Sequence, residues 1–228
     1  MSDSGQSERI ARINELQAKI AALRPYEGDM LIQLRKYYRL GLTWSSNAIE
    51  GSSYTESETK ILLEDGITIG GKTLQDTFAA LGHAKAYDYM FTLLGQKGIT
   101  EQNILTMHSM MDGGLETGDA GKYRTTAVFV TGSDFKFPPA KAVPEQVHAL
   151  FEKRVHELAY LHPVIQAAKI HKELVTIHPF SDGNGRIARL AMNTILIQHG
   201  FLPVQIHPVI RQEYIDSLRH AQKYDDGE

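Results

Sequence analysis

Apolar residues recur every three or four positions along most of this chain, and that spacing restricts it to a mainly helical fold. Ile10, Ile13, Leu16, Ile20 and Leu23 mark the first stretch, with Ser7 placed to cap it and Pro25 to end it. The same spacing runs through 30–40, 74–94, 101–111 and 145–158. Pro163 stands near the start of a further helix carrying Ile165, Ala168, Leu174 and Val175, and the stretches 185–198, closed by Gly200, and 211–221 complete the series. One segment breaks the pattern. From Arg124 to Phe137, β-branched and aromatic residues flank Thr131-Gly132-Ser133-Asp134, and Pro138-Pro139 stops them. These residues predict a small β-hairpin at about 124–139, which must lean on the helices because two strands alone are marginal. The expected class is all-α with this hairpin added. A helical extension occupies 1–33 and a single domain 34–228.

Composition narrows the function. Hydrophobic residues at 42% of 228 are enough for a real core. Cysteine is absent, so disulfides and thiolate metal sites are excluded. A net charge of -3 with no long basic run argues against a nucleic-acid partner. The polar start lacks a signal peptide's apolar core and no run is long enough to span a membrane, so a soluble cytoplasmic protein is expected. The first helix, amphipathic as it is, suits packing or self-association into a homo-oligomer.

Chemistry concentrates between His178 and Arg189, which read His-Pro-Phe-Ser-Asp-Gly-Asn-Gly-Arg-Ile-Ala-Arg. Gly183, Asn184 and Gly185 open a helix whose first amides lack intrahelical acceptors, and the helix dipole makes that end attractive to anions. Arg186 and Arg189, three apart, add two permanent charges on neighbouring parts of one face. Asp182 is one carboxylate beside a phosphate cradle, which is what magnesium asks of a protein when phosphate supplies its other oxygens. His178 is a base candidate at the lip of the cradle. A dinucleotide fingerprint is excluded because His-Pro-Phe-Ser-Asp, not a strand, precedes the glycines. A calcium loop is excluded because Ile187 and Asn193 stand at its glycine and glutamate positions. The bland alternative is a capped turn between core helices with solvated arginines.

The ordered set resembles the signature of the Fic family (filamentation induced by cAMP), His-x-Phe-x-Asp/Glu-Gly-Asn-Gly-Arg-x-x-Arg. Lys122-Tyr123-Arg124, the hairpin and Asn193 through Tyr214 extend the likeness from about Leu34 onward. The resemblance implies a protein adenylyltransferase that moves AMP from ATP to a Ser, Thr or Tyr hydroxyl of a target protein. It implies His178 as base, Asp182 as Mg2+ ligand, and Gly183, Asn184 and Gly185 as anion cradle. Arg186 and Arg189 would hold the β- and γ-phosphates, and Phe180 would anchor the loop. It also implies a target-docking flap at Val128, Phe129, Val130, Phe135, Lys136 and Phe137, and an adenine site at Tyr214, Ile215 and Gln222. The intact second glycine favours AMP transfer over phosphorylation. UMP or phosphocholine transfer on the same fold, or an ATP-responsive interaction module without turnover, are the rival readings.

Ser46-Asn47-Ala48-Ile49-Glu50-Gly51 fits the family's inhibitory pattern Ser/Thr-x-x-x-Glu-Gly/Asn, on a helix at about 43–51. By itself the pattern describes any helix ending in Glu-Gly. Beside the motif it implies that Ser46, Glu50 and Gly51 form a brake on the N-terminal side, Glu50 taking the place of the γ-phosphate on Arg189. Hydroxyls clustered at Ser45, Ser46, Ser52, Ser53 and Tyr54 invite self-modification, and some braked relatives also remove AMP.

Overall fold

The computed structural model describes residues 3–24, 27–111, 119–129 and 135–224. Helix α1 spans Asp3–Ala21, so Ser7 lies inside it, and Pro25 falls outside the described residues. α2 spans Gly28–Ile49, α3 Glu56–Lys60, α4 Leu74–Thr92, α5 Glu101–Met111 and α6 Val143–His156. α7 spans Pro163–Ile177, α8 Asn184–Gln198 and α9 Arg211–Tyr224. A single π-helical turn, Ile61–Asp65, continues α3 and stops at left-handed Gly66. No described helix is long and apolar enough to cross a membrane.

The antiparallel pair α7 and α8 is the centre of the domain, joined by the 178–183 loop. Ile170, Leu174, Ile187, Leu190 and Ala191 from this pair are all but inaccessible, and Met90, Ile104, Met107 and Val147 close over them from α4, α5 and α6. Burial of one such side chain stabilises the fold by about 1.5–3 kcal/mol. α2 packs against both α4 and α8, and α9 against α7. α1 stays at the edge, tied by Gln17 Nε2 donating to the Gly200 carbonyl (2.5 Å) and by Asn14 bonded to His162 (2.9 Å).

Two expectations change. The helix predicted at 30–40 and the one at 43–51 are a single rod, α2. Its second half is buried yet polar, and its hydroxyls and amide are satisfied internally. Thr43 bonds His83 (3.1 Å), and Asn47 donates to the Thr43 carbonyl (2.8 Å). Hydrophobic periodicity cannot register a polar buried face. The hairpin differs as well: among the described residues there is no strand, and 127–129 and 135–139 carry neither regular secondary structure nor ladder pairing. Arg124 joins their bases instead, with Nη1 donating to the Thr126 carbonyl (2.9 Å) and Nη2 to that of Pro138 (2.7 Å). Two short arms gain little from pairing with each other alone. Val130 and the turn at 131–134 lie outside the described residues.

Candidate active site

His178 ends α7 in the left-handed conformation (φ 52, ψ 62), the one non-glycine residue with positive φ among those described. That backbone costs on the order of 1–3 kcal/mol and is held from both sides. The His178 amide donates to the Leu174 carbonyl (3.0 Å), while Arg124 Nε donates to the carbonyl of His178 (2.7 Å). The ring directs Nδ1 to the Val175 carbonyl (3.3 Å) and lies 4.5 Å from the Phe137 ring. A carbonyl accepts only, so Nδ1 carries the proton and Nε2 the lone pair. Burial lowers the pKa of His178 and Arg124 pushes the same way, against the Val175 hydrogen bond. At neutral pH the ring is a free base.

The loop after it is clamped by side chains. Asn184 Oδ1 accepts from the Phe180 amide and its Nδ2 donates to the Phe180 carbonyl, both at 2.8 Å. Its side chain is therefore occupied, and what Asn184 can offer an anion is its backbone. Phe180 is fully buried and stacks on His108 with centroids 3.8 Å apart. His108 accepts from the Gly121 amide at Nδ1 (3.0 Å), which leaves Nε2–H to donate to the Asp182 carbonyl (3.2 Å). Gly183 (φ 77) turns the chain into α8.

At the head of α8 the two arginines are differently engaged. Arg186 reaches Asp182 (2.8 Å) and Asn47 (3.3 Å), and its buried Nε has no partner. Arg189 is 5% exposed and saturated. Its Nε donates to Ser46 Oγ (2.9 Å), and Nη2 to the Ser46 carbonyl (2.9 Å) and to Glu50 Oε1 (2.6 Å). Nη1 donates to Tyr214 Oη (3.2 Å), and that hydroxyl, kept protonated by burial, lies 2.9 Å from His171 Nε2. Burial drives His171 down to about 3, so it is neutral. A Cβ added at Gly185 would collide with Glu50 Oε1, so the carboxylate lies directly over the first turn of α8.

Glu50, Gly51, Asp182, Gly183 and Arg186 line one cleft of about 610 Å³, with Thr73, Asp76 and Phe78 of the α4 end opposite. His178, Arg189, Tyr214, Ile215 and Gln222 do not line it. Gln222 instead donates to Thr176 Oγ1 (3.4 Å) across α9 and α7. No cluster of three metal-ligating side chains exists among the described residues. The donor set of an exposed Asp182 carboxylate, an unpartnered Arg186 Nε and a glycine cradle fits magnesium that arrives with phosphate. Sequence reasoning missed Arg124, His108 and Asn47. The Lys122-Tyr123-Arg124 run was visible, but nothing in it signals a side chain bridging three carbonyls.

Residues 98–196 match the Fic/DOC family model. Curated relatives called protein adenylyltransferase Fic include one from Nematostella vectensis, 35% identical over 96% of this chain and 51% of its own length. One from Drosophila grimshawi is 36% identical over 95% of this chain and 45% of its own. The chain thus spans about half the length of the curated relatives it matches. Among solved structures, C. elegans Fic-1 (134–508) superposes with TM-score 0.84 at 28% identity, covering 96% of this chain and 64% of that one. A Fic domain containing signaling protein from Bacteroides thetaiotaomicron gives TM-score 0.85 at 27% identity, covering 92% and 81%.

Proposed function

Because this chain carries a Fic/DOC family domain, we propose that it is a protein adenylyltransferase, moving AMP from ATP to a Ser, Thr or Tyr hydroxyl of a target protein, with Glu50 as its brake. One observation carries the reading: His178, its Nδ1 proton on the Val175 carbonyl and its Nε2 lone pair left over, ends α7 beside the loop that leads into a helix N-terminus carrying Arg186 and Arg189. His178 Nε2 takes the proton as the target hydroxyl oxygen bonds to the α-phosphorus, and the bond to the bridging oxygen breaks, releasing pyrophosphate. The α8 amides and Arg186 hold charge on the phosphates. Magnesium, when bound through Asp182, would neutralise more of it. Residues 128–129 and 135–137 would seat the target segment.

In the resting state Arg189 is spent on Glu50 and Ser46. A γ-phosphate would meet a carboxylate where it needs the guanidinium, and ATP would bind with its α-phosphate misaligned. Among the hydroxyls near the brake, Ser45, Ser46 and Tyr54 are buried, so self-modification there is confined to Ser52 and Ser53. Intact-mass measurement of the wild type, Glu50→Gly and Glu50→Gly/His178→Ala, each incubated with magnesium and ATP, tests the reading. An AMP adduct on Glu50→Gly alone is expected. Competition by UTP or CDP-choline without competition by ATP would replace AMP transfer with the corresponding group transfer. ATP binding with no transfer to any added protein would leave a nucleotide-responsive module.

A further inference from the structure

A second feature bears on which hydroxyls are chosen. α6 and α7 run antiparallel and leave a groove of about 490 Å³ between them. Gln146, Ala149, Leu150 and Lys153 supply one wall, at the spacing of a single α6 face, and Lys169, Lys172, Glu173 and Ile177 the other. Its two ends are unlike. The near end begins where the 135–139 arm enters α6 and where Ile177 adjoins His178, and there Glu173 is paired with Lys172 (3.3 Å). At the far end Lys153 and Lys169 face the same groove, and neither makes an ion pair among the described residues. The acids of α6, Glu145 and Glu152, do not line it, and neither does Glu157 just beyond; Glu152 lies beside His156 (3.4 Å). The groove is therefore neutral beside the base and positive at a distance, with Leu150, Leu158 and Ile177 as an apolar floor.

We propose that this groove is an exosite for an acidic stretch of the target protein, seated when the target's hydroxyl reaches His178; the proposal rests on the transferase reading. The register follows from helix geometry. Lys169 lies eight residues before Ile177, about 12 Å along the axis. An extended peptide rises about 3.3 Å per residue, so the acidic side chains belong about four residues from the modified hydroxyl. Both lysines there keep mobile ammonium groups, which recognise carboxylate charge rather than a fixed fork of oxygens. Charge matching of this kind selects partners and speeds encounter.

Fluorescein-labelled nonapeptides with a central serine test it. Glutamates are placed four residues before or after the serine, or directly next to it, and lysines replace them in the counterparts. Anisotropy with the full chain at low salt reads binding without needing turnover. The four-residue glutamate peptides are expected to bind at least about tenfold more tightly than the lysine ones. Lys153→Glu/Lys169→Glu is expected to erase the difference, and the milder Lys153→Gln/Lys169→Gln to halve it or better with unchanged melting temperature. The exposed Lys85→Glu on α4 is expected to leave it unchanged. Equal binding by the groove variants, indifference to glutamate position, or capture of phosphatidylserine vesicles in place of peptide would each overturn the proposal. If the Glu50→Gly protein transfers AMP to no peptide and not to itself, the transferase reading fails, and the anisotropy still decides the groove.

Discussion

The two sides of His178 are built to different standards. On the α8 side the polar groups are mostly committed, Asn184 to Phe180, Arg189 to Ser46, Glu50 and Tyr214, His108 to Asp182 and Gly121, and the buried Arg186 Nε is left without a partner. On the 127–139 side, Phe129 is almost wholly exposed and the arms are held by the Arg124 guanidinium and by Phe137 against the His178 ring. A phosphate chain carries the same charges whatever the target, so its seat gains from donors that are fixed before the ligand arrives. In the proposed function a target segment varies, and backbone pairing with the arms would tolerate that variation. The contrast is between a mould and a rail.

Removing His178 breaks the comparison most directly, because it is the hinge of both sides. In the Glu50→Gly background, His178→Ala is expected to lower the rate of AMP transfer by roughly 10²–10⁴-fold. Calorimetric ATP affinity should stay within a factor of a few; a parallel loss of affinity would mean that His178 holds nucleotide rather than proton. Arg124→Ala attacks the rail together with the His178 backbone, and leaves the mould. It strands the carbonyls of His178, Thr126 and Pro138, and a loss of about 3 kcal/mol is expected by denaturant melting. ATP affinity should survive better than transfer, and the reverse pattern would show that the arms serve the nucleotide.

Glu50→Gly acts on the mould alone. It frees Arg189 and is expected to raise transfer roughly a hundredfold, the scale of a 1 Å realignment. Arg189→Ala should not share the gain, since it removes the brake and the phosphate's partner together. Equal initial rates for wild type and Glu50→Gly under saturating ATP would remove the brake from the account. A separate effect is that of pH on stability. His83 and His171, both buried and both held down to about 3 by desolvation, flank the mould. Their folded pKa lies below the unfolded value of about 6.5, so the unfolded chain binds protons first. Stability is intact above pH 6.5 and falls as pH drops toward 3, by about 1.4 kcal/mol per unit for each ring. Denaturant midpoints at pH 7, 6 and 5 measure the slope, and His171→Gln should reduce it. A flat profile would mean that the rings charge while still folded.

The regions also differ in how far their sequences reveal them. α4 to α9 announce themselves by apolar spacing, and the motif by the rarity of its order. The second half of α2 does not, because its buried face is built of Thr43, Ser45, Ser46 and Asn47 and is stabilised by hydrogen bonds that no local pattern predicts. The arms at 127–129 and 135–139 have strand composition without strand pairing, since composition speaks for each residue and pairing depends on a neighbour. Asn184 reads as a ligand from its place between two glycines, and only the fold shows its side chain turned back on Phe180.

Gly185 ends up answering to both settings of the proposed switch. Glu50 Oε1 rests where its side chain would begin, and Arg189 is close by. In the working state the same vacancy would let an incoming oxygen reach the helix amides. One absent methyl group thus serves the locked enzyme and the active one alike. In the proposed switch, a chain that filled the gap would disturb the lock and the phosphate seat in a single substitution, so the capacity to be silenced would be inherited with the capacity to act.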